Sequence, residues 1–501
     1  MKPIARFAAG TFWIVSLPLV GQDVLKNFES RVSEFTLDNG WKFIAVERHH
    51  APVASFYTYA DVGAVQEVKG MTGLAHMFEH MAFKGTPKIG TSNYQEEKNS
   101  LDRVDAAFLA LKSEKQKTGG GDPEKLKQLA KDLKAAEEGA AKFVVDNEFG
   151  LAIQKAGGRG LNASTGWDRT DYFFSLPSNS AELWFYLESE RFLQPVLRDF
   201  YKEAGVVREE RRMRTDSSPN GRLFDEFMSA AYKAHPYGEP VVGHMSDLES
   251  FTRQEAEEFF RKHYGPSNLT SVIVGDIDPK ALQALARRYM GRIAARPKPE
   301  PLRTVEPPQQ AERRILMKAQ AQRILIMGYH RAAINDPDYA IYEAISSLMS
   351  EGRSSRLHES LVTKKKVSVY AGGVTGVPGD KYPGLFIFIG APAPGKTNEE
   401  LEKEMLAEIE RLKTEPVTSD ELEGIKNRAR ADLVTLLASD TGVGRQIAKW
   451  QVLTGDWRNL FRFLDKLNAM TPADVQRVAK ATFTEKNRTV AFLDPEQAAK
   501  N

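Results

Sequence analysis

Two stretches of the chain share one pattern of polar and apolar positions. From Phe251 to Pro279 the sequence runs FTRQEAEEFFRKHYGPSNLTSVIVGDIDP, and from Met470 to Pro495 it runs MTPADVQRVAKATFTEKNRTVAFLDP. Each reads as a threonine-capped amphipathic helix, a polar turn, an apolar strand and a closing Asp-Pro. A second correspondence lies nearer the start of each half. The strand ASFYTYADVG (54–63) precedes a helix around His76, and ILIMGYH (324–330) precedes a helix starting near Asp338. The pattern predicts a duplicated α+β unit, each copy a mainly antiparallel sheet with helices on one face. Paired histidines occur in the first copy alone, so the chemistry is expected there.

Two segments interrupt the repeat. Residues 295–310, ARPKPEPLRTVEPPQQ, hold five prolines and follow neither a helical nor a strand period, which reads as an extended linker. A linker over 295–312 separates an N-terminal domain (23–294) from a C-terminal one (313–501), which is read as a non-catalytic domain for substrate binding or dimerisation. Between Tyr94 and Leu151, Leu101, Val104, Phe108 and Leu111 keep a helical period, as do Leu126, Leu129, Leu133, Ala136 and Ala140. Asp122 and Pro123 supply a cap and a first helical residue between the two runs. Residues 95–150 therefore predict a charged antiparallel helical hairpin, read as a solvated insertion into the first domain.

Composition sharpens this picture at three points. At 501 residues the chain exceeds the size at which single cores stop growing, in keeping with two domains. The 69 basic and 67 acidic residues are interspersed and leave a net charge of +2, without the basic stripe of a nucleic-acid binder, so no nucleic-acid partner is expected. There is no cysteine, so any transition metal must be held by imidazole and carboxylate. At the N-terminus, Lys2 and Arg6 precede an apolar run from Phe7 to Val20, too short to span a bilayer and suited to a signal-peptide core. Residues 1–22 are read as a signal peptide and the product as exported, in a bacterium to the periplasm. No other segment reaches membrane-spanning length, so no stable span is expected in the mature form.

Residues 73–87 read GLAHMFEHMAFKGTP. On a helix each residue advances about 100°, so His80 lies about 40° from His76 and Glu79 about 60° to its other side. All three share one face, while Met77 and Phe78 fall outside it. Two imidazoles one turn apart can chelate one ion, and the adjacent carboxylate can take a proton from water there. This is HxxEH, the inverted form of HExxH. A catalytic zinc takes three protein ligands and leaves a place for water. The segment DFYKEAGVVREERRMRTD (199–216) offers Glu203, Glu209 and Glu210 for the third. Glu203 and Glu210 are seven apart, within about 20° on a helix, while Glu209 points about 100° away. Taken alone, the segment reads first as a charged surface helix.

HMFEHMAFKGT, GGRGLNASTGWDRTDYFF and KEAGVVREERRMRTD occur in the order seen in the insulysin, pitrilysin and mitochondrial-processing-peptidase family of zinc metallopeptidases. The chain resembles its smaller two-domain bacterial members over essentially the whole mature length. The resemblance implies one zinc per chain, held by His76, His80 and Glu210, with Glu79 as general base and Glu203 as the supporting acid. The downstream ligand lies further from the motif than is usual in that family, a distance the hairpin insertion accounts for. Asn162, Ala163 and Thr165 match the family's edge strand, where substrate backbone is bound as an added strand, and Tyr172 matches a position near the active site and is read with them as substrate-binding.

In the C-terminal domain the family carries an arginine and a tyrosine, seven apart, that hold substrate. Tyr370 fits the tyrosine, but Thr363 stands where the arginine is expected. Lys364, Lys365 or Lys366 would supply charge without the planar fork of a guanidinium, or a partner chain would supply the missing residue. The resemblance thus implies an endopeptidase for extended or unfolded peptides, working in a chamber as a homodimer or as a heterodimer with a related subunit. The alternatives are an inactive scaffold or chaperone-like subunit, and a metal-binding protein with no use for Glu79.

Overall fold

The computed structural model describes residues 21–496, so the apolar run read as a signal peptide lies outside the described residues. The first half begins with α1 (Gly21–Glu29), β1 (Val32–Thr36), β2 (Lys42–Glu47), β3 (Val53–Ala60), α2 (Leu74–Met81), α3 (Tyr94–Lys115) and α4 (Pro123–Ala141). It continues with α5 (Glu148–Lys155), β4 (Arg159–Thr165), β5 (Thr170–Pro177), α6 (Ala181–Leu193), α7 (Phe200–Arg211) and α8 (Pro219–Ala231). It closes with α9 (Met245–Leu248), α10 (Arg253–His263), β6 (Leu269–Gly275) and α11 (Pro279–Tyr289). The second half begins with β7 (Arg313–Ala319), β8 (Ile324–Arg331), α12 (Tyr339–Ser350), β9 (Ser368–Val377), β10 (Gly384–Pro392) and α13 (Asn398–Thr414). It ends with α14 (Ser419–Ala438), α15 (Asp440–Thr454), α16 (Asn459–Ala469), α17 (Pro472–Thr482) and β11 (Arg488–Pro495).

The two sheets have the orders β1-β2-β6-β3-β5-β4 and β7-β11-β8-β10-β9. Without β1 they coincide strand for strand. In each, the last strand pairs parallel with the first common one, β6 with β2 and β11 with β7, and the remaining pairs are antiparallel. Thr252 and Thr471 each close a capping box at the start of α10 and α17. The duplication read from the sequence is thus carried in the topology.

Side chains alternate across a strand, and here both faces of each sheet are covered. Phe56 on β3 packs with Trp184, Phe174, Leu74 and Met77 on the side of the first half's own helices. Tyr57 and Tyr59 point the other way and meet Val443 and Ile447 of α15, a helix of the second half. The exchange is reciprocal. Ile326, Leu385 and Ala491 of the second sheet pack under Leu223 and Phe227 of α8, a helix of the first half. A Cβ on Gly328 would lie 2.5 Å from Phe227 Cζ, so this position must lack a side chain for α8 to seat. The halves are joined further at Asp168, which accepts from Tyr237 Oη at 2.7 Å and from the amides of Asp380 and Lys381 at 3.1 Å each.

The linker carries neither helix nor strand, and Glu306 pins it by accepting the amides of Lys233, Ala234 and His235. Asp122 caps α4 through the Lys125 amide, as the sequence predicts. The hairpin is less detached than its sequence suggests. Leu101, Val104 and Ala140 belong to the main core of the first half. Arg198, fully buried, pairs with Glu97 of α3 at 2.5 Å and donates to the carbonyls of Lys84, Thr86 and Ile89. The tip around Gly119 and Gly120 stands clear of the body, whereas the base of the hairpin is core. Among the described residues no helix is long and apolar enough to cross a membrane.

Candidate metal centre

Helix α2 is held by its apolar side. Leu74, Ala75, Met77, Phe78 and Met81 are buried, and the Phe78 ring packs 5.3 Å from Phe260 and 5.2 Å from Tyr264. Its other face carries His76, Glu79 and His80. Helix α7 buries Phe200, Ala204, Val207 and Arg211, a three-to-four-residue repeat that turns Glu203 and Glu210 away from the core and towards α2.

His76 Nε2 lies 3.6 Å from Glu210 Oε1, and His80 Nε2 lies 3.5 Å from Glu210 Oε2. One ligand atom from each of the three residues falls within 4.8 Å of the others. Donors about 2.0–2.1 Å from one tetrahedral ion lie roughly 3.3 Å apart, so the observed spacing and the imidazole–carboxylate set both fit zinc. The second nitrogen of His80, Nδ1, faces Glu203 Oε2 at 3.5 Å, the arrangement in which a carboxylate orients a ligating imidazole. Glu209 is exposed and pairs with Arg212, as the helical angle predicts.

The two histidines share a face but differ in proton affinity. Burial lowers the His76 pKa to about 4, which keeps it neutral and able to ligate. The Glu203 carboxylate raises that of His80, while the hydrogen bond from His80 holds Glu203 down at about 2. Lys84, one turn beyond His80, reaches Glu203 Oε1 at 2.5 Å. Arg214, in the π-helical turn after α7, reaches Glu210 Oε1 at 2.6 Å. Glu79 sits beside the pair with no hydrogen bond or ion pair among the described residues.

The structure also places the other candidates. Among the described residues β4 is an edge strand paired only with β5, so Asn162, Ala163 and Thr165 lie there on a strand with a free side next to α2. Tyr172, on β5, does not fit the substrate-facing position that the resemblance implies. It is only 3 % exposed, with the Arg191 guanidinium 4.4 Å from its ring centroid, and it offers no open surface to a bound chain. Tyr370 lies on β9, the equivalent edge of the other sheet, and is 56 % exposed. Thr363 is in a π-helical turn (His358–Lys364). Its neighbour Lys364 pairs with Glu359 and Lys365 with Glu404 and Glu408, while Lys366 makes no ion pair among the described residues.

Sequence reasoning missed the groups that hold the site from outside. Glu67 accepts the amides of Gly73 and Ala75 at 2.8 and 2.7 Å, at the start of α2. Asp247 accepts from the Gly70 and Thr72 amides and the Thr72 hydroxyl. Glu67 lies outside the motifs, and Asp247 is brought in from 175 residues away. Lys84, in the turn after α2, was missed as well, though its place four residues after His80 is a signal that could have found it.

Fold and site together define a two-domain α+β protein with an HxxEH helix in one domain and none in the other. A family model described as "Insulinase (Peptidase family M16)" matches residues 42–110, and one described as "Peptidase M16 inactive domain" matches residues 250–429. Two models of peptidase family M16 thus match this chain, one in each half and in the order of the halves. It is 28 % identical over 468 residues to the zinc protease PqqE of Helicobacter pylori, covering 92 % of each chain. It is 22 % identical to the β subunit of the mitochondrial-processing peptidase of Dictyostelium discoideum, covering 92 % of this chain and 88 % of that one. A crystal structure of a protease from Helicobacter pylori superposes with a TM-score of 0.77 at 27 % identity, over 93 % of this chain and 99 % of that one. The first half of the periplasmic protease PqqL from Escherichia coli shares the fold, with a TM-score of 0.67 at 16 % identity over 92 % of each chain.

Proposed function

We propose that this chain is a zinc-dependent endopeptidase acting on extended or unfolded peptides. The observation that carries the reading is the convergence of His76, His80 and Glu210, with one ligand atom of each within 4.8 Å of the others, and Glu79 beside them without a hydrogen bond or ion pair among the described residues. A zinc ion held there supplies Lewis acidity and lowers the pKa of water at the site. Glu203 fixes the tautomer and orientation of His80 through Nδ1. Glu79 takes a proton from the attacking water on its carboxylate and returns it to the leaving amine nitrogen.

The free side of β4 accepts the substrate backbone as an added strand, through Asn162, Ala163 and Thr165. Such a mode requires an extended chain and is indifferent to most side chains. The second half, with no histidines on α12, serves substrate binding or pairing with a second chain, either a copy of this one or a related subunit. The name of the Dictyostelium relative, a β subunit, supports the second arrangement. The periplasmic setting of the Escherichia coli neighbour supports export. Turnover of a fluorogenic unfolded peptide tests the reading. Activity should vanish with chelator and return with one equivalent of zinc, and chelator-resistant turnover would refute it.

A further inference from the structure

Helix α2 has only eight residues, yet it must aim two imidazoles at one point. Its cap position is Gly73, at φ +95°, which has no side chain to hold the first amides. A Cβ there would also meet Val242 O at 2.8 Å. Capping by a local serine or aspartate, the common solution, is therefore closed at this position. The amides are taken from a distance, by Glu67, with one carboxylate oxygen on Gly73 and the other on Ala75.

We propose that Glu67 is a positioning residue for the metal site, whose bidentate grip on the first turn of α2 sets the direction in which His76 and His80 present Nε2. The proposal rests on the zinc reading above. Two physical effects act together. With both oxygens engaged, α2 can neither slide nor rotate without breaking a bond. Negative charge at the helix start also offsets the positive end of the helix dipole, which lies within one turn of His76 and opposes a cation there. Burial pushes the pKa of the carboxyl up to about 8 while the two amide hydrogen bonds pull it down, so the charge effect grows in as pH rises through that value and the geometric grip acts on both sides of it.

The test uses the full chain and three readouts: zinc dissociation constant by chelator competition, amide hydrogen exchange at residues 73–76 in the metal-free protein, and the urea midpoint. Glu67→Gln keeps the shape but offers one oxygen acceptor, and its NH₂ meets an amide donor. It should raise the zinc Kd by about 10–100-fold, as loss of a supporting partner does, and speed exchange at 73–76, with a cooperative unfolding transition retained. Glu67→Asp keeps the charge but loses reach, and should fall between Glu67→Gln and wild type. Wild-type zinc affinity and exchange in Glu67→Gln would overturn the proposal. So would loss of the unfolding transition in both variants, which would make Glu67 a folding residue. If wild type itself binds no zinc, the metal reading fails, while faster exchange at 73–76 in Glu67→Gln still supports the grip on α2.

Discussion

The two halves share a strand order, a parallel closing pair and a reciprocal loan of one helix, yet they differ in the helix that leaves the central strand. After β3 comes α2, eight residues long, with a polar face turned to α7. After β8 comes α12, twelve residues long, with Tyr339, Ile341, Ala344, Ile345, Leu348 and Met349 all buried. The second half spends that helix on packing, and the first spends half of its own on ligands. The fold therefore does not depend on the site, and chemistry requires only the α2 and α7 faces with the groups that brace them.

The largest expected effect breaks the comparison outright. His80→Ala should lower peptide turnover by about 10³-fold or more, since metal catalysis is worth several kcal/mol. Glu343→Gln, on α12 in the other half, should leave turnover unchanged. Steady-state kinetics of the two variants decides this, and a comparable loss from Glu343→Gln would give the second half a share in the chemistry. Next is the joint between halves. Asp168→Ala leaves two buried donors and one half-buried donor without an acceptor and should cost about 3 kcal/mol in urea unfolding. An unchanged midpoint would mean that the exchanged helices α8 and α15 hold the halves by themselves.

Within the site, Glu210→Gln should strip most zinc, Glu203→Gln should weaken binding by about 10–100-fold, and Glu209→Gln should bind as wild type. Metal content of the purified variants measures the order. A pH series sharpens it further. His80 is raised above its ordinary 6.5, so its pairing stabilises the metal-free chain below that value and is lost as pH rises through the raised pKa. Glu203 is lowered from 4.5 to about 2, so its contribution is present above 4.5 and is lost as pH falls towards 2. The pair should stabilise the zinc-free protein most between pH 4.5 and 6.5. That maximum should be absent from Glu203→Gln in chemical denaturation. Zinc affinity should fall as pH drops past the His80 pKa, since the proton and the metal compete for His80, and not near His76's value of about 4. Smallest is Thr363→Arg, which should lower KM several-fold with kcat unchanged, because a guanidinium grips a carbonyl where a hydroxyl gains little.

Much of this was legible in the sequence because periodicity and helical angles are local. The 76–80 spacing and the seven-residue step from Glu203 to Glu210 each belong to one helical stretch, the two threonine-capped endings each join a helix to the next strand, and all land where local geometry puts them. The features that were not legible depend on distant chain segments. Nothing in the pattern of residues 95–150 reveals that Glu97 will meet Arg198, and so the hairpin base reads as solvated when it is core. Glu67 and Asp247 look like surface acids until the loop before α2 folds over them. The loan of α8 and α15 is likewise invisible, since their apolar stripes predict burial without saying against which sheet.

Glu79 is where the metal reading and the peptidase reading separate, and Glu79→Gln keeps the side-chain volume while leaving both imidazoles and Glu210 untouched. The purified variant should hold one zinc per chain, as wild type does, while hydrolysis of an unfolded peptide falls by about 10²–10⁴-fold. Full zinc with undiminished turnover would contradict the assignment of Glu79 as the base, and with it the proposed mechanism.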